Sequence, residues 1–329
     1  VVLHIGRRKC RQICPKLKVH DSDMKQAQSA RYLGDIISAS GSMGPCIEDR
    51  RSNGWGKVAD MAGILSEMPT HRRIEVGLKL REAKVHNGIL FNSEAWSNLS
   101  DKDIEKLEQV DMAAIRALMD GGHSKCPKAF YFLEFRTLMV RHLVMIRRFM
   151  YHRHILTRDE SEIIKKMYMK QIENSCKGDW ISLVRNDFSF IQEEMNDDWI
   201  SKTGKDEYYK YIKEKVKNSA FKEYCKLKQT CEKKLGNVHY SEFVIQPYLI
   251  SSDLSLPEKQ LLWSLRSKCY PAKMNFRKLN KGNLMCSFLC QSEETQSHIF
   301  EHCRPIQSRI SCPMNVNLDD IYGSIDDQV

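Results

Sequence analysis

The spacing of apolar positions changes near residue 44 and divides the chain into an extended part and a helical part. Alternation over residues 16–20 and an apolar run over 30–38 predict two strands, the second of which ends at Gly41 and Gly44. From Ile47 onward, apolar residues recur at intervals of three and four, as on the buried face of a helix. The pattern therefore predicts a mainly α fold with a small N-terminal β element.

Helices are predicted wherever this spacing persists between helix-breaking residues. They cover residues 47–65, 70–91, 100–120, 163–172, 178–188, 205–235 and 258–268. We expect Gly54 and Gly56 to interrupt the first helix, and Ser100 with Asp103 forms a capping box for the third. The segment 130–156 is long, apolar and basic.

Four consecutive parts follow from these elements. They are a β element at 1–44, a helical domain at 45–157, a helical connector at 158–256 and a cysteine-bearing subdomain with a tail at 257–329. The 329 residues, of which 42% are hydrophobic, suffice for two or three packed units.

Charge and cysteine content restrict the partners and the compartment. The formal net charge of +10 suits a polyanionic partner, most simply nucleic acid. No apolar run approaches the roughly 20 residues of a membrane span, and the 12 cysteines lack a secretory signal before them. We therefore expect reduced thiols in the nucleus or cytoplasm and neither secretion nor membrane insertion. Because the chain begins with Val1, we also expect that this is not the natural start.

Four residues near the C-terminus have the spacing of a zinc site. Cys286, Cys290, His298 and Cys303 form the pattern C-x3-C-x7-H-x4-C, with the first two on a tight turn and the last two on or just after a short helix. Three thiolates and one imidazole are ligands that favour a tetrahedral structural Zn²⁺. Free thiols beside a surface histidine are the alternative, and His302 is an alternative fourth ligand.

A row of basic residues is the second candidate site. The predicted phosphate-binding residues are Arg136, Arg141, Arg147, Arg148, Arg153, Arg277 and Lys278. Dense arginines favour a phosphate-facing surface, although a solvated helix face gives the same pattern. The lysine-rich stretch 205–235 carries interleaved tyrosines that could stack on bases, or could form the core stripe of a charged helix.

Several motifs occur in a fixed order along the chain. They are Y-L-G-D-I-I-S at 32–38, N-G-I-L at 87–90, S-E-A-W at 93–96, C-K-G-D-W at 176–180, W-S-L-R-S at 263–267 and the cysteine–histidine cluster. In this order they resemble the C-terminal part of a non-LTR retrotransposon polyprotein of the kind with a restriction-enzyme-like endonuclease. The resemblance extends from about Arg7 to about Pro305.

The resemblance implies a role for each part. Residues 1–44 would be the end of a reverse-transcriptase palm, with Tyr32, Leu33 and Gly34 near the primer grip. Residues 45–157 would be the helical thumb, 158–256 the connector, and 257–329 the CCHC zinc-knuckle subdomain. The parent polyprotein would be an RNA-directed DNA polymerase with an endonuclease.

Departures from the family pattern argue against catalysis by this chain. It lacks the Tyr-Ala-Asp-Asp box that binds two metal ions, so Mg²⁺ is expected only if a palm is supplied. Residues 134–142 lack the Gly and Pro usual in the family. The sequence therefore predicts a non-catalytic fragment that binds DNA or RNA through its arginines and zinc knuckle. A helical protein-interaction module and a decayed element without activity are the alternatives.

Overall fold

The computed structural model describes residues 18–19, 22–23, 27–97, 99–119, 126–174, 179–230, 238–267, 269, 285–286, 290, 292–295 and 298–303. Over these residues the chain is mainly helical, which confirms the predicted fold class. The helices are α1 (Gly44–Ser66), α2 (Thr70–Leu80), α3 (Asn87–Ile89), α4 (Asp101–Leu118), α5 (Lys128–Glu134), α6 (Val140–Leu156), α7 (Ile163–Glu173), α8 (Trp180–Phe190), α9 (Asp197–Lys202), α10 (Lys205–Thr230), α11 (Pro247–Ile250) and α12 (Leu256–Arg266). A 3₁₀ turn covers Ser93–Ala95, and π-helical segments cover Arg81–His86 and His298–His302.

Two short antiparallel hairpins form the N-terminal β element. Strand β1 (Lys18–Val19) pairs with β2 (Ser22–Asp23), and β3 (Ser29–Tyr32) pairs with β4 (Asp35–Ser38). The predicted single strand over 30–38 is wrong, because the chain reverses at Leu33 and Gly34, whose φ values are +46° and +86°. Two consecutive positive φ values are typical of a two-residue hairpin loop.

Side chains from α1 and from the segment after α3 hold the β3–β4 turn in place. Arg50 of α1 donates to the carbonyl of Gly34 at 2.7 Å and forms an ion pair with Asp35. Asn92 donates to the other carboxylate oxygen of Asp35 at 2.7 Å. These contacts explain how Leu33 is kept in a left-handed conformation that branched side chains seldom adopt.

Helix α1 is continuous, so the predicted interruption at Gly54 and Gly56 is wrong. A Cβ at Gly54 would lie 2.5 Å from Ile89 Cγ2 and 2.8 Å from Val110 Cγ1, whereas nothing lies within 4 Å of such an atom at Gly56. A helical glycine costs only about 1 kcal/mol, and at Gly54 it permits close packing against α3 and α4.

A π-helical segment continues α2 and positions a buried charge cluster. In a π-helical turn, residues five apart lie on the same side, which brings Arg81 and His86 to one carboxylate of α4. Arg81 Nη2 lies 2.6 Å from Asp111 Oδ2, and His86 Nε2 lies 2.9 Å from Asp111 Oδ1. Burial would raise the pKa of Asp111, but the charge of Arg81, with His86, holds it well below its ordinary value.

The chain divides into two compact units built from separated stretches. The first unit comprises Val1–Ile64, Lys79–Ala114 and Leu138–Ser219, and the second comprises Leu65–Leu78, Ile115–Thr137 and Ala220–Val329. The predicted boundaries after residues 44, 157 and 256 fall within these units.

An aromatic cluster around Trp263 forms the core of the second unit. Its ring lies 4.7 Å from Phe130, 4.8 Å from Tyr131 and 5.2 Å from Phe135, centroid to centroid. All four side chains are buried, so α12 and α5 are joined by a large apolar contact.

A single buried carboxylate ties three further segments to α5. Glu134 accepts hydrogen bonds from Tyr240 Oη at 2.6 Å, from Tyr248 Oη at 2.7 Å and from Arg266 Nη2 at 2.8 Å. Its backbone carbonyl also accepts from the N–H of Gln246 at 3.0 Å. Because Glu134 is fully buried, these donors replace the water that the carboxylate loses on folding.

Two helices end in the same hydrogen-bonded turn, each closed by a non-glycine residue in the left-handed conformation. After α5, Arg136 has a φ of +51°, its N–H donates to Leu133, and the N–H of Thr137 donates to Phe132. After α8, Gln192 has a φ of +58° and the same two bonds form. This is the Schellman arrangement, in which glycine is the preferred residue.

Glycine at either position should stabilise the fold. We expect Arg136→Gly and Gln192→Gly each to raise the free energy of unfolding by about 1 kcal/mol, because the left-handed conformation costs an L-residue about 1–2 kcal/mol and glycine's greater unfolded-state entropy cancels part of the gain. Urea denaturation followed by circular dichroism measures the change. Arg141→Gly, inside α6, is the control and should lower stability; a loss at Arg136 of the same size would contradict the prediction.

Candidate metal centre

A chain reversal brings the first two cysteines together. Met285 and Glu293 form an antiparallel bridge, and the N–H of Cys286 donates to the carbonyl of Ser292 at 2.8 Å. Cys290 lies in the loop between these paired residues. Residues 287–289, where the predicted tight turn would lie, are outside the described residues.

A single π-helical turn brings the histidine and the last cysteine to the same place. Thr295 begins this turn, since its Oγ1 accepts from the N–H of His298 at 2.9 Å and its carbonyl accepts from the N–H of Ile299 at 3.1 Å. Cys303 follows His298 by five residues, the spacing that places two side chains on one side of a π-helical turn.

The four ligand atoms form a compact group in which all lie within 4.8 Å of one another. Cys303 Sγ lies 3.8 Å from Cys286 Sγ and 3.9 Å from Cys290 Sγ. These distances are far longer than a disulfide and match the about 3.8 Å that separates two thiolates on one tetrahedral Zn²⁺. The group therefore fits a metal ion of this size and ligand preference.

The Cys290 and His298 pair is closer than the other ligand atoms. The distance from Cys290 Sγ to His298 Nε2 is 2.9 Å, whereas two such ligands of one zinc ion lie about 3.5 Å apart. An ion would therefore require these two atoms to move apart by about half an ångström.

Burial separates three of the four candidate ligands from the alternative ligand His302. Cys286, His298 and Cys303 are buried, whereas His302, the alternative fourth ligand, is exposed and lies outside the group. The pKa of Cys290 is below its ordinary value. Burial raises this pKa, but hydrogen bonds with the Ser292 backbone and the two other thiols lower it by more. A lowered thiol pKa favours the thiolate form that binds metals.

Four candidate protein ligands would leave no open position on a tetrahedral ion, which is typical of structural rather than catalytic metal sites. In the part of the chain that the structure describes, no other group of three or more His, Cys, Asp or Glu side chains could share an ion. The chemistry available here is thus the cross-linking of a turn to a short helical segment.

Comparisons with known proteins give no relative. No protein-family model matches the chain, and neither does any curated protein or solved structure. The resemblance to non-LTR retrotransposon polyproteins thus rests on the order of its motifs. Among the described helices, none has the length and hydropathy to cross a bilayer.

The predicted phosphate-binding arginines fall into two groups. Arg136 and Arg141 are exposed. Arg147 and Arg153 are less exposed; Arg147 donates to the carbonyl of Leu90 at 2.8 Å, and Arg153 donates twice to the carbonyl of Thr203. Arg277 and Lys278 lie outside the described residues.

Arg148 is the clearest departure from the prediction. Its side chain is buried in the first unit, where Nη1 lies 2.7 Å from Asp187 Oδ2. An arginine in this position cannot contact a phosphate while the ion pair holds. This corrects the prediction for Arg148, which came from the helical spacing of basic residues without regard to which face packs inward.

The tyrosines of the lysine-rich stretch mostly form the core stripe of a charged helix, α10, which was the alternative to base stacking. Residues four apart on one side are fully buried: Tyr208, Ile212, Val216, Ala220 and Tyr224. Tyr209 is exposed, and Lys213 Nζ lies 5.4 Å from the centre of its ring. Most of the tyrosine surface thus stabilises the fold, while Tyr209 remains accessible.

The β3–β4 hairpin exposes two large apolar side chains. Tyr32 and Leu33, at the predicted primer grip, are 64% and 76% exposed. Gly34, the third residue, lies against Phe91, whose ring carbon would be 3.2 Å from an added Cβ. Apolar side chains at a rigid turn are a surface that a partner could cover.

Proposed function

We propose that this chain is a zinc-binding, nucleic-acid-binding fragment of a non-LTR retrotransposon reverse transcriptase polyprotein, without catalytic activity of its own. The observation that carries the proposal is the Cys286, Cys290, His298 and Cys303 group. The net charge of +10 supports a polyanionic partner, and the ordered motifs support the family.

Zn²⁺ is the ion that best suits three thiolates and one imidazole. When bound, it would supply folding free energy to the segment that carries the four ligands. The chain's own residues fix the turn: Thr295 orients the segment with His298, and the bridge between Met285 and Glu293 orients Cys286.

Each unit would contribute its own contacts to nucleic acid. In the first unit, Arg141 is an exposed cation for phosphates, and Tyr32 and Tyr209 are exposed rings on which bases can stack. In the second unit, Arg136 is an exposed cation for phosphates. Polymerase chemistry needs acidic ligands for two metal ions, and these would have to come from palm sequence that is not present in this chain.

Binding to nucleic acid should weaken steeply as salt increases. We expect the logarithm of the association constant to fall with the logarithm of salt concentration by about 0.9 per phosphate contacted in a duplex, or about 0.7 in a single strand. Fluorescence anisotropy with labelled DNA and RNA oligonucleotides over increasing KCl measures the slope.

Matched variants localise the contacts. Arg136→Met and Arg141→Met should each lower the slope by about one contact. Arg158→Met, which removes an exposed arginine paired with Glu162 in a helical turn, is the control and should not change it. Absent binding, or binding of the parent protein that does not depend on salt, would refute the proposal.

Protein interaction is a second candidate because α7 exposes apolar side chains. Ile163 is 77% exposed and Met167, one turn later, is 58% exposed. A partner that remains bound after nuclease treatment, and that is lost with Ile163→Lys, would favour this function over nucleic-acid binding.

A further inference from the structure

The buried face of α12 carries two nitrogen donors without an acceptor. Lys259, Trp263 and Arg266 follow one another at helical spacing, and all three are buried. Arg266 is paired with Glu134. For Lys259 Nζ and Trp263 Nε1, both fully enclosed, no acceptor lies within hydrogen-bonding distance in the described part of the chain.

This arrangement is energetically unfavourable for the protein alone. A buried ammonium without a partner costs several kcal/mol or loses its proton, and burial lowers the pKa of Lys259 accordingly. An unpaired indole N–H beside it adds a further desolvation cost. The adjacent Arg266 shows that this helix face can accommodate a cation when a carboxylate is supplied.

We propose that Lys259 and Trp263 form a binding site for a phosphate-type oxyanion on α12. Residues four apart on a helix are neighbours, so one oxyanion can accept from both donors and supply the charge that Lys259 lacks. The flexible four-carbon lysine stem allows the ammonium to follow the ligand. The oxyanion is either free phosphate or a phosphodiester, and the second source rests on the proposed function.

Thermal unfolding with inorganic phosphate tests the site itself. At equal ionic strength, phosphate at about ten times its Kd should raise the Tm of the parent protein by about 2–4 °C more than chloride does. Lys259→Met should lose this excess, Trp263→Phe should reduce it, and Lys259→Arg should retain it. Because Lys259→Met removes an unpaired buried charge, its Tm without phosphate should be above that of the parent.

Oligonucleotide binding identifies the source of the oxyanion. If the ligand is a phosphodiester, Lys259→Met should weaken binding about tenfold and lower the salt slope by about one contact. The control is Lys226→Met, which removes an exposed lysine of α10. It should change both the affinity and the salt slope less than Lys259→Met does. If the rise in Tm with phosphate depends on Lys259 but oligonucleotide binding does not, the ligand is free phosphate. Equal responses of the parent and Lys259→Met to both ligands would overturn the inference, and failure of the parent to bind oligonucleotide would refute only the proposed function.

Discussion

Glu134→Gln is expected to lower the free energy of unfolding by about 3–5 kcal/mol, the cost of breaking a buried ion pair by removing one partner. The glutamine amide would leave the Arg266 guanidinium buried without a counter-charge. It would also have only one acceptor oxygen, whereas the two oxygens of Glu134 accept from Tyr240, Tyr248 and Arg266. Urea denaturation followed by circular dichroism measures the loss. Hydrogen exchange over residues 238–250 should also accelerate, because Tyr240 and Tyr248 are released.

The matched control is a glutamate whose ion pair is exposed. Glu162 lies 3.6 Å from Arg158 on the surface, so Glu162→Gln should cost less than about 1 kcal/mol. Equal effects of the two substitutions, or unchanged exchange over 238–250, would contradict this role of Glu134.

Asp111→Asn should cost a similar amount in the first unit, about 3–5 kcal/mol. Asp111 is fully buried between Arg81 and His86, so the substitution leaves an uncompensated guanidinium inside the protein. Asp198→Asn, which affects an exposed pair with Lys202, is the control and should be nearly neutral. Loss of stability no greater than in the control would contradict this role of Asp111.

The same carboxylate makes stability depend on pH in one direction. Because the pKa of Asp111 is lower in the folded state, its contribution is complete above the unfolded value of about 3.9 and is lost as the pH falls towards the folded value. Between about pH 2 and pH 5, the parent should therefore lose more stability than Asp111→Asn, as followed by urea midpoints. Parallel curves for the two proteins would exclude this contribution.

Local signals in the sequence predicted those elements that local chemistry determines. The Ser100–Asp103 capping box forms as expected: the N–H of Asp103 donates to Ser100 Oγ at 3.2 Å, and the N–H of Ser100 donates to Asp103 Oδ2 at 3.3 Å. The β3–β4 turn was missed because Leu33 is not a typical turn residue, and its conformation depends on a contact with Arg50 of the following helix, α1. The turn at Arg136 was missed for the same reason, since the glycine that usually marks it is absent.

The candidate sites show the same division. Ligand spacing alone predicted which four residues come together in a group that could hold a metal ion, because a short segment can bring them together without long-range packing. The arginines could not be sorted from spacing, since Arg148 faces Asp187 from another helix. Lys259 was missed because a lysine in an apolar stripe is visible as a core position only after the neighbouring helices are placed.

The stoichiometry of zinc in the purified full chain tests the central claim most directly. Native mass spectrometry should find one zinc ion per chain, with affinity more than about 100-fold lower in Cys290→Ser and His298→Ala, because loss of outer hydrogen-bond partners alone costs about 10- to 100-fold. Cys225→Ser, at a free thiol of α10, should retain the ion. A chain without stoichiometric zinc, whose Cys290→Ser and His298→Ala variants melt at the temperature of the parent, would contradict the account.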